Sequence, residues 1–143
     1  MPAATHIHAD KVRAYLATRY RFNHAGQDIV LSIGQRSAAL AALFASHNMH
    51  CAAFITAFNP RGSTQSDALN QLAHQQLGEQ LQALALPVIK GAGSAADNGW
   101  PAEPSYLALG LELQPARDIG NHFAQDAIVW IGADLVPQLV LLR

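Results

Sequence analysis

Glu103 has the strongest claim to chemistry in this chain. It lies between Pro101 and Pro104 and close to Trp100. A carboxylate set among an indole and prolines can be partly desolvated, which raises its pKa and suits it to general acid or base work. The alternative is an ordinary loop charge or a helix-cap partner. Asn59, Asn70 and Gln125 are amides, which orient ligands or tie loops together but do not act as nucleophiles at neutral pH. Arg36, Arg61 and Lys90 could hold a phosphate or carboxylate; the alternative is solvated charge. Asp126 could pair with Glu103 around a magnesium ion, although two carboxylates make a weak signal. His47, His50 and Cys51 could be drawn as a zinc site, but a fourth ligand has no obvious source. Cys51 begins an apolar run and is a poor nucleophile there. The stretch Gly91-Ala92-Gly93-Ser94 lacks GxGxxG spacing, and the chain contains neither GxxxxGK[ST] nor GxSxG. No cofactor and no metal is expected.

The elements that must position these residues centre on Cys51–Asn70, CAAFITAFNPRGSTQSDALN. Cys51 to Phe58 is apolar apart from Thr56, which suggests a strand covered on both faces. Asn59-Pro60 stops it, and Arg61-Gly62-Ser63-Thr64 is turn chemistry. Thr64 with Asp67 three residues on resembles a capping box. Leu69, Leu72, Ala73, Leu77, Leu81 and Leu84 then repeat at helical spacing and predict one inward stripe on a helix to about Ala85. A helix start after a strand carries free N–H groups and a positive dipole end, where an anion can bind. Arg61, Ser63 and Thr64 would add a charge and two hydroxyls, and Asn70 would lean back toward Asn59. A well-capped helix with no ligand is the alternative.

Around this unit, a first helix is expected from Ala9 to about Tyr20, a loop at 23–26 and a strand from Asp28 to Ile33. A small helix follows from Ala38 to Ser46. Pro87 to Lys90 reads as a short strand and Gly91 to Pro101 as a surface loop. Ser105 to Leu113 reads as a strand, and Pro115 suits the first turn of a helix with Ala116, Ile119 and Phe123 inward. Ala127 to Ile131 and Leu135 to Leu142 form a hairpin about Gly132-Ala133-Asp134. The expected fold class is α/β, in the mixed α+β sense. It is one domain over 1–143 with a loose tail at 1–8, a mixed five- to six-stranded sheet flanked by helices, and a C-terminal β-hairpin.

Strands joined by helical crossovers are usually parallel. The turns at 34–37, 59–64 and 90–94 then fall on one sheet edge. An antiparallel step after Lys90 brings 100–105 there, and the next helix returns 125–126. Ligands in open sheets bind at such strand ends. The expected site at this edge comprises Asn59, Arg61, Ser63, Thr64, Asn70, Lys90, Trp100 and Gln125 as ligand-binding residues, with Glu103 as acid or base. A small anionic or nucleotide-like ligand is the expected occupant. An enzyme acting on such a ligand and a non-catalytic interaction domain are the alternatives.

Composition bounds these readings. At 143 residues, half of them hydrophobic, the chain has enough material for a core. Charged residues are 13%, about half the roughly 25% of an average chain, so a covered surface and a homodimer are expected. The net charge of −1 offers no basic excess for nucleic acid. One cysteine excludes an internal disulfide. The N-terminus lacks a signal-peptide pattern and no apolar run spans a membrane, so the cytoplasm is the expected location.

The run FITAFNP, Asn70 in the next helix, Trp100 with Glu103-Pro104-Ser105, and Gln125 to Trp130 (QDAIVW) together resemble the small bacterial family known as domain of unknown function 3293. The resemblance runs from about Tyr15 to Leu142. It departs from the family's usual Trp at Phe58 and Asn at Asp126. It implies that Thr56, Asn59, Asn70, Trp100, Glu103 and Gln125 belong together. It implies no activity.

Overall fold

The computed structural model describes residues 5–94 and 102–143. In chain order the elements are α1 (Ala9–Ala17), β1 (Arg19–His24), β2 (Gln27–Ser32), α2 (Ala38–His47), β3 (Ala52–Ile55), α3 (Asp67–Ala83), β4 (Val88–Ser94), β5 (Glu103–Leu109), α4 (Leu113–His122), β6 (Ala127–Ile131) and β7 (Pro137–Leu141). A 3₁₀ turn at Pro60–Gly62 lies between β3 and α3. The α+β class and the C-terminal hairpin match the expectation, whereas the sheet is larger and different in kind. Among the described residues it has seven strands in the order β2-β1-β4-β5-β3-β6-β7, and every neighbouring pair is antiparallel.

The expected parallel pairing fails because other strands slot between the crossovers. β2, β3 and β4 do point the same way, but β5 separates β3 from β4, and three strands separate β2 from β3. Their ends still share one edge, as do the starts of β5 and β6. The additional strand is β1. Helical spacing through Val12, Tyr15, Leu16 and Arg19 masked the two-residue alternation of Arg19-Tyr20-Arg21-Phe22, in which Tyr20 and Phe22 are buried. α1 stops at Ala17, and Ala25 and Gly26, both at positive φ, turn β1 into β2.

The sheet curls. Laid flat, its outermost strands would stand roughly 29 Å apart. Instead the Gly34 N–H, just past β2, donates to Pro137 O of β7 at 2.9 Å, and the Ser37 N–H donates to Leu135 O at 3.0 Å. Tyr20 and Phe54 lie on strands three places apart, yet their ring centroids are 5.4 Å apart. Only a concave face brings them together. That face carries Tyr20, Phe22, Leu31, Phe54, Leu107, Leu109 and Val129, with Leu40, Leu43 and Phe44 of α2 packed against it. The convex face carries Ala53, Ile55, Ala108 and Ile128 under Leu77 and Leu81 of α3 and Ala116 of α4. β3 is therefore buried on both faces, as its unbroken apolar run implies.

β4 runs on through Gly91-Ala92-Gly93-Ser94, which the composition alone suggested was loop. Gly91 faces the inside of the curl. A Cβ there would come within 2.6 Å of Arg21 O and 2.9 Å of the Phe54 ring, so the bend depends on its lack of a side chain.

Three local expectations change. The α3 cap is Ser66, whose Oγ accepts from the Leu69 N–H at 3.2 Å, and not Thr64. The leucine stripe is split: Leu77 and Leu81 are buried, while Leu69, Leu72 and Leu84 are about half exposed. Of the expected tail, residues 1–4 lie outside the described residues, whereas Ile7 is buried and the Thr5 hydroxyl donates to Arg143 O at 2.5 Å.

Candidate functional site

Two-residue alternation decides which side chains enter the curl. On β5 the inward positions are Glu103, Ser105, Leu107 and Leu109, polar at the open end and apolar below. Phe54 and Thr56 follow the same phase at the end of β3, and Gln125, Ala127 and Val129 do so on the approach to β6 and along it. Beside Glu103, Gly93 presents no side chain. α1 lies across the opening with Lys11, Ala14 and Tyr15. Together these elements bound a cleft of about 300 Å³.

Most of the polar wall is tied into the protein. Asn59, in left-handed geometry at φ 47°, is its hub. Its N–H donates to Asn70 Oδ1 at 2.9 Å. Its Oδ1 accepts from Asn70 Nδ2 at 3.0 Å and from the Gln65 N–H at 3.2 Å. Its Nδ2 donates to Glu103 Oε2 at 3.1 Å. Thr56 Oγ1 donates to Pro104 O at 2.8 Å and accepts from the Phe58 N–H at 3.1 Å. Gln125 Nε2 donates to Phe58 O at 3.1 Å. These bonds hold the loop after β3 against the start of β5.

Glu103 is half-buried, and its Oε1 has no partner among the described residues. Burial raises its pKa above the usual carboxylate range, and the Asn59 hydrogen bond partly offsets that rise. Tyr20 is pushed up to about 12, first by burial. Tyr15 is raised further, by burial and by Asp126, so both phenols stay neutral at physiological pH.

Asp126 does not pair with Glu103. Its buried carboxylate accepts from the Tyr15 hydroxyl at 3.1 Å, bonds Arg143 Nε, and lies 3.8 Å from Lys11 Nζ. The magnesium arrangement therefore has no support, because both oxygens are engaged by the protein. The Cys51 thiol is buried, contacts Leu111 O at 3.4 Å and is pushed up to about 11 by that burial. The zinc and nucleophile ideas gain nothing from it.

The structure brings Thr56, Asn59, Glu103 and Gln125 to the cleft, with Asn70 behind Asn59 as a brace. Arg61, Ser63, Thr64 and Lys90 lie away from it. Arg61, Ser63 and Thr64 are exposed beyond the rim. Only the backbone of Arg61 participates, accepting from Lys11 Nζ at 2.9 Å. Lys90 is one residue out of phase with Gly91 and Gly93, and it lies on the convex face beside His74 and Tyr106. The 34–37 turn docks against the start of β7. Trp100 lies outside the described residues. Tyr15, Tyr20 and Ser105 also line the cleft, and none of them is among the expected site residues. The phase of the Glu103 strand could have revealed Ser105; nothing local marks the tyrosines.

Fold and site define an α+β protein whose antiparallel sheet curls around a core and opens, under a short helix, into a cleft bearing the Glu103 carboxylate. The chain belongs to the family described as "Protein of unknown function (DUF3293)", whose model matches residues 55–128. That span runs from the end of β3 to the second residue of β6, so it holds Thr56, Asn59, Asn70, Glu103 and Gln125 but not α1. No curated protein and no solved structure matches the chain. Among the described residues, no helix is long and apolar enough to cross a membrane.

Proposed function

We propose that this is a binding domain for a small organic molecule, held in the cleft between α1 and the concave face of the sheet. One observation carries the reading: Glu103, whose Oε1 has no partner among the described residues, lines a cavity of about 300 Å³ with a mainly apolar wall. Ligand sites commonly combine an apolar body with a few fixed polar groups. The anionic, nucleotide-like occupant loses support, because the side chains of Arg36, Arg61 and Lys90 stand away from the cavity.

The test is a thermal-shift screen with nucleotides, sugar phosphates, carboxylates, amines and divalent metals. Binding to the folded state raises Tm by mass action, by about 2.7 kcal/mol of stability at a hundredfold excess over Kd. Ala14, exposed on α1 and lining the cleft, supplies the control. Ala14→Trp fills the opening without touching the core, so it should abolish a genuine shift. A shift that survives it would place the ligand elsewhere.

A second reading makes Glu103 a general acid or base on the bound molecule. It is favoured by the burial-raised pKa of a carboxyl with an open oxygen. Turnover of a screened ligand by wild type, lost in Glu103→Gln while binding persists, separates it from binding alone. Self-association is compatible with either. Leu69 and Leu72, each more than half exposed and one turn apart on α3, support the expected homodimer, which sedimentation would test.

A further inference from the structure

The hydrogen-bond donors of the cleft are nearly all spent, and its acceptors are not. The hydroxyls of Tyr15, Tyr20, Thr56 and Ser105 donate to Asp126 Oδ2, Tyr15 O, Pro104 O and Glu103 O respectively. Gln125 Nε2 reaches two carbonyls, Phe58 O and Phe123 O. The amide of Asn59 donates to Glu103. Lys11 Nζ donates to Arg61 O and lies 3.8 Å from Asp126. Left over are Glu103 Oε1 and Gln125 Oε1, neither with a donor among the described residues, and the remaining hydroxyl lone pairs. A ligand that brings acceptors finds few hydrogens here, whereas one that brings N–H groups finds several oxygens.

The charges point the same way. Asp126 is matched by Arg143 and Lys11. Glu103 has no cationic partner among the described residues. Tyr20 and Phe54 line the same cleft, their rings edge to face, and aromatic faces attract desolvated cations. We propose that the occupant of this cleft is a small organic cation, an amine, amidine or guanidine on an apolar body, whose N–H groups bond Glu103. This rests on the binding-site reading above.

Tyr15 of α1 and Tyr20 of β1 couple to Glu103, Lys11 of α1 lines the same cleft, and Asp126, bonded to Tyr15, carries Arg143 with it. Of these, both tyrosines are held neutral, and Lys11 and Arg143 are turned toward Asp126. Cation binding should therefore weaken as pH falls through the raised pKa of Glu103, where the carboxyl gains a proton.

Three ring compounds of similar size and different charge test this by calorimetry on the full chain: benzamidine, benzyl alcohol and benzoate. Benzamidine should bind at least ~10-fold tighter than either other compound, and Glu103→Gln should erase that preference. Ala14→Trp should remove binding altogether. Benzoate or benzyl alcohol binding as tightly as benzamidine would overturn the cation assignment. The site itself would stand if that binding were also lost in Ala14→Trp. Silence from all three compounds would overturn the assignment too, and the site reading would fall only if the broader screen were silent as well.

Discussion

Asn59 and Asn70 clasp each other. The Asn59 N–H donates to Asn70 Oδ1 at 2.9 Å, and Asn70 Nδ2 returns to Asn59 Oδ1 at 3.0 Å. The reciprocal pair ties the loop leaving β3 to the first turns of α3, and Gln65 closes it by donating to both side chains. Because Asn59 Nδ2 also donates to Glu103, the clasp sets where that carboxylate stands.

Asn59 is thus a brace first. Asn70 is 4% exposed, and Asn70→Ala would strip the Asn59 N–H of its acceptor. Each single alanine variant should lose about 1–3 kcal/mol of stability. The double variant should lose less than their sum, with a coupling of roughly 0.5–3 kcal/mol. Urea unfolding of the four proteins measures it, and additive losses would mean that the clasp contributes nothing.

Asp126 anchors α1 over the cleft. Its side chain is fully buried and meets Tyr15 and Lys11 of α1 as well as Arg143. Asp126→Ala should cost about 3 kcal/mol, because a buried charged acceptor is removed from its donors. Asp126→Asn keeps an acceptor for Tyr15 and should cost less. Hydrogen exchange gives the local readout: α1 amides should exchange faster in Asp126→Ala, while those of β3 change only with global stability. Unchanged α1 protection would show that the helix is held by packing alone.

Glu103 should make stability depend on pH in a definite direction. Its folded pKa lies above the ordinary value of 4.5, so the folded state holds this proton more tightly than the unfolded one. The corresponding stabilisation is complete below the unfolded value and is lost as pH rises through the folded one. Glu103→Gln removes that dependence. Relative to wild type, the variant should gain Tm as pH rises from acid toward neutrality. Parallel Tm curves for the two proteins would show that burial does not shift this carboxyl.

Much of the local architecture was legible along the chain. The apolar run at Cys51–Phe58 identified the doubly covered strand. Ser37, just before the alanine-rich run, is a residue type that caps helices, and its Oγ accepts from the Leu40 N–H at 3.4 Å. The turn at Gly132-Ala133-Asp134 marked the last hairpin. Such features depend on near neighbours, and near neighbours are what periodicity and turn chemistry report. β1 escaped because Arg19-Tyr20-Arg21-Phe22 continues a helical spacing and alternates as a strand at once, and pairing with β2 and β4 settles the matter.

Residue types and spacing determined by themselves that the chain mixes helices and strands, that β3 is central, and that Asn59, Asn70, Glu103 and Gln125 are worth grouping. The tertiary structure decided which of the polar turns share a cavity. The curl of the sheet brings Tyr20 to Phe54, sets the 34–37 turn against β7, and turns Lys90 outward one residue from Gly91. It also lays Tyr15 and Lys11 across the cleft from Glu103, from a helix far away along the chain. Strand order and curvature are collective properties of seven segments, set by long-range pairing and by the fit of Gly91 beneath Phe54. A local pattern carries no record of either.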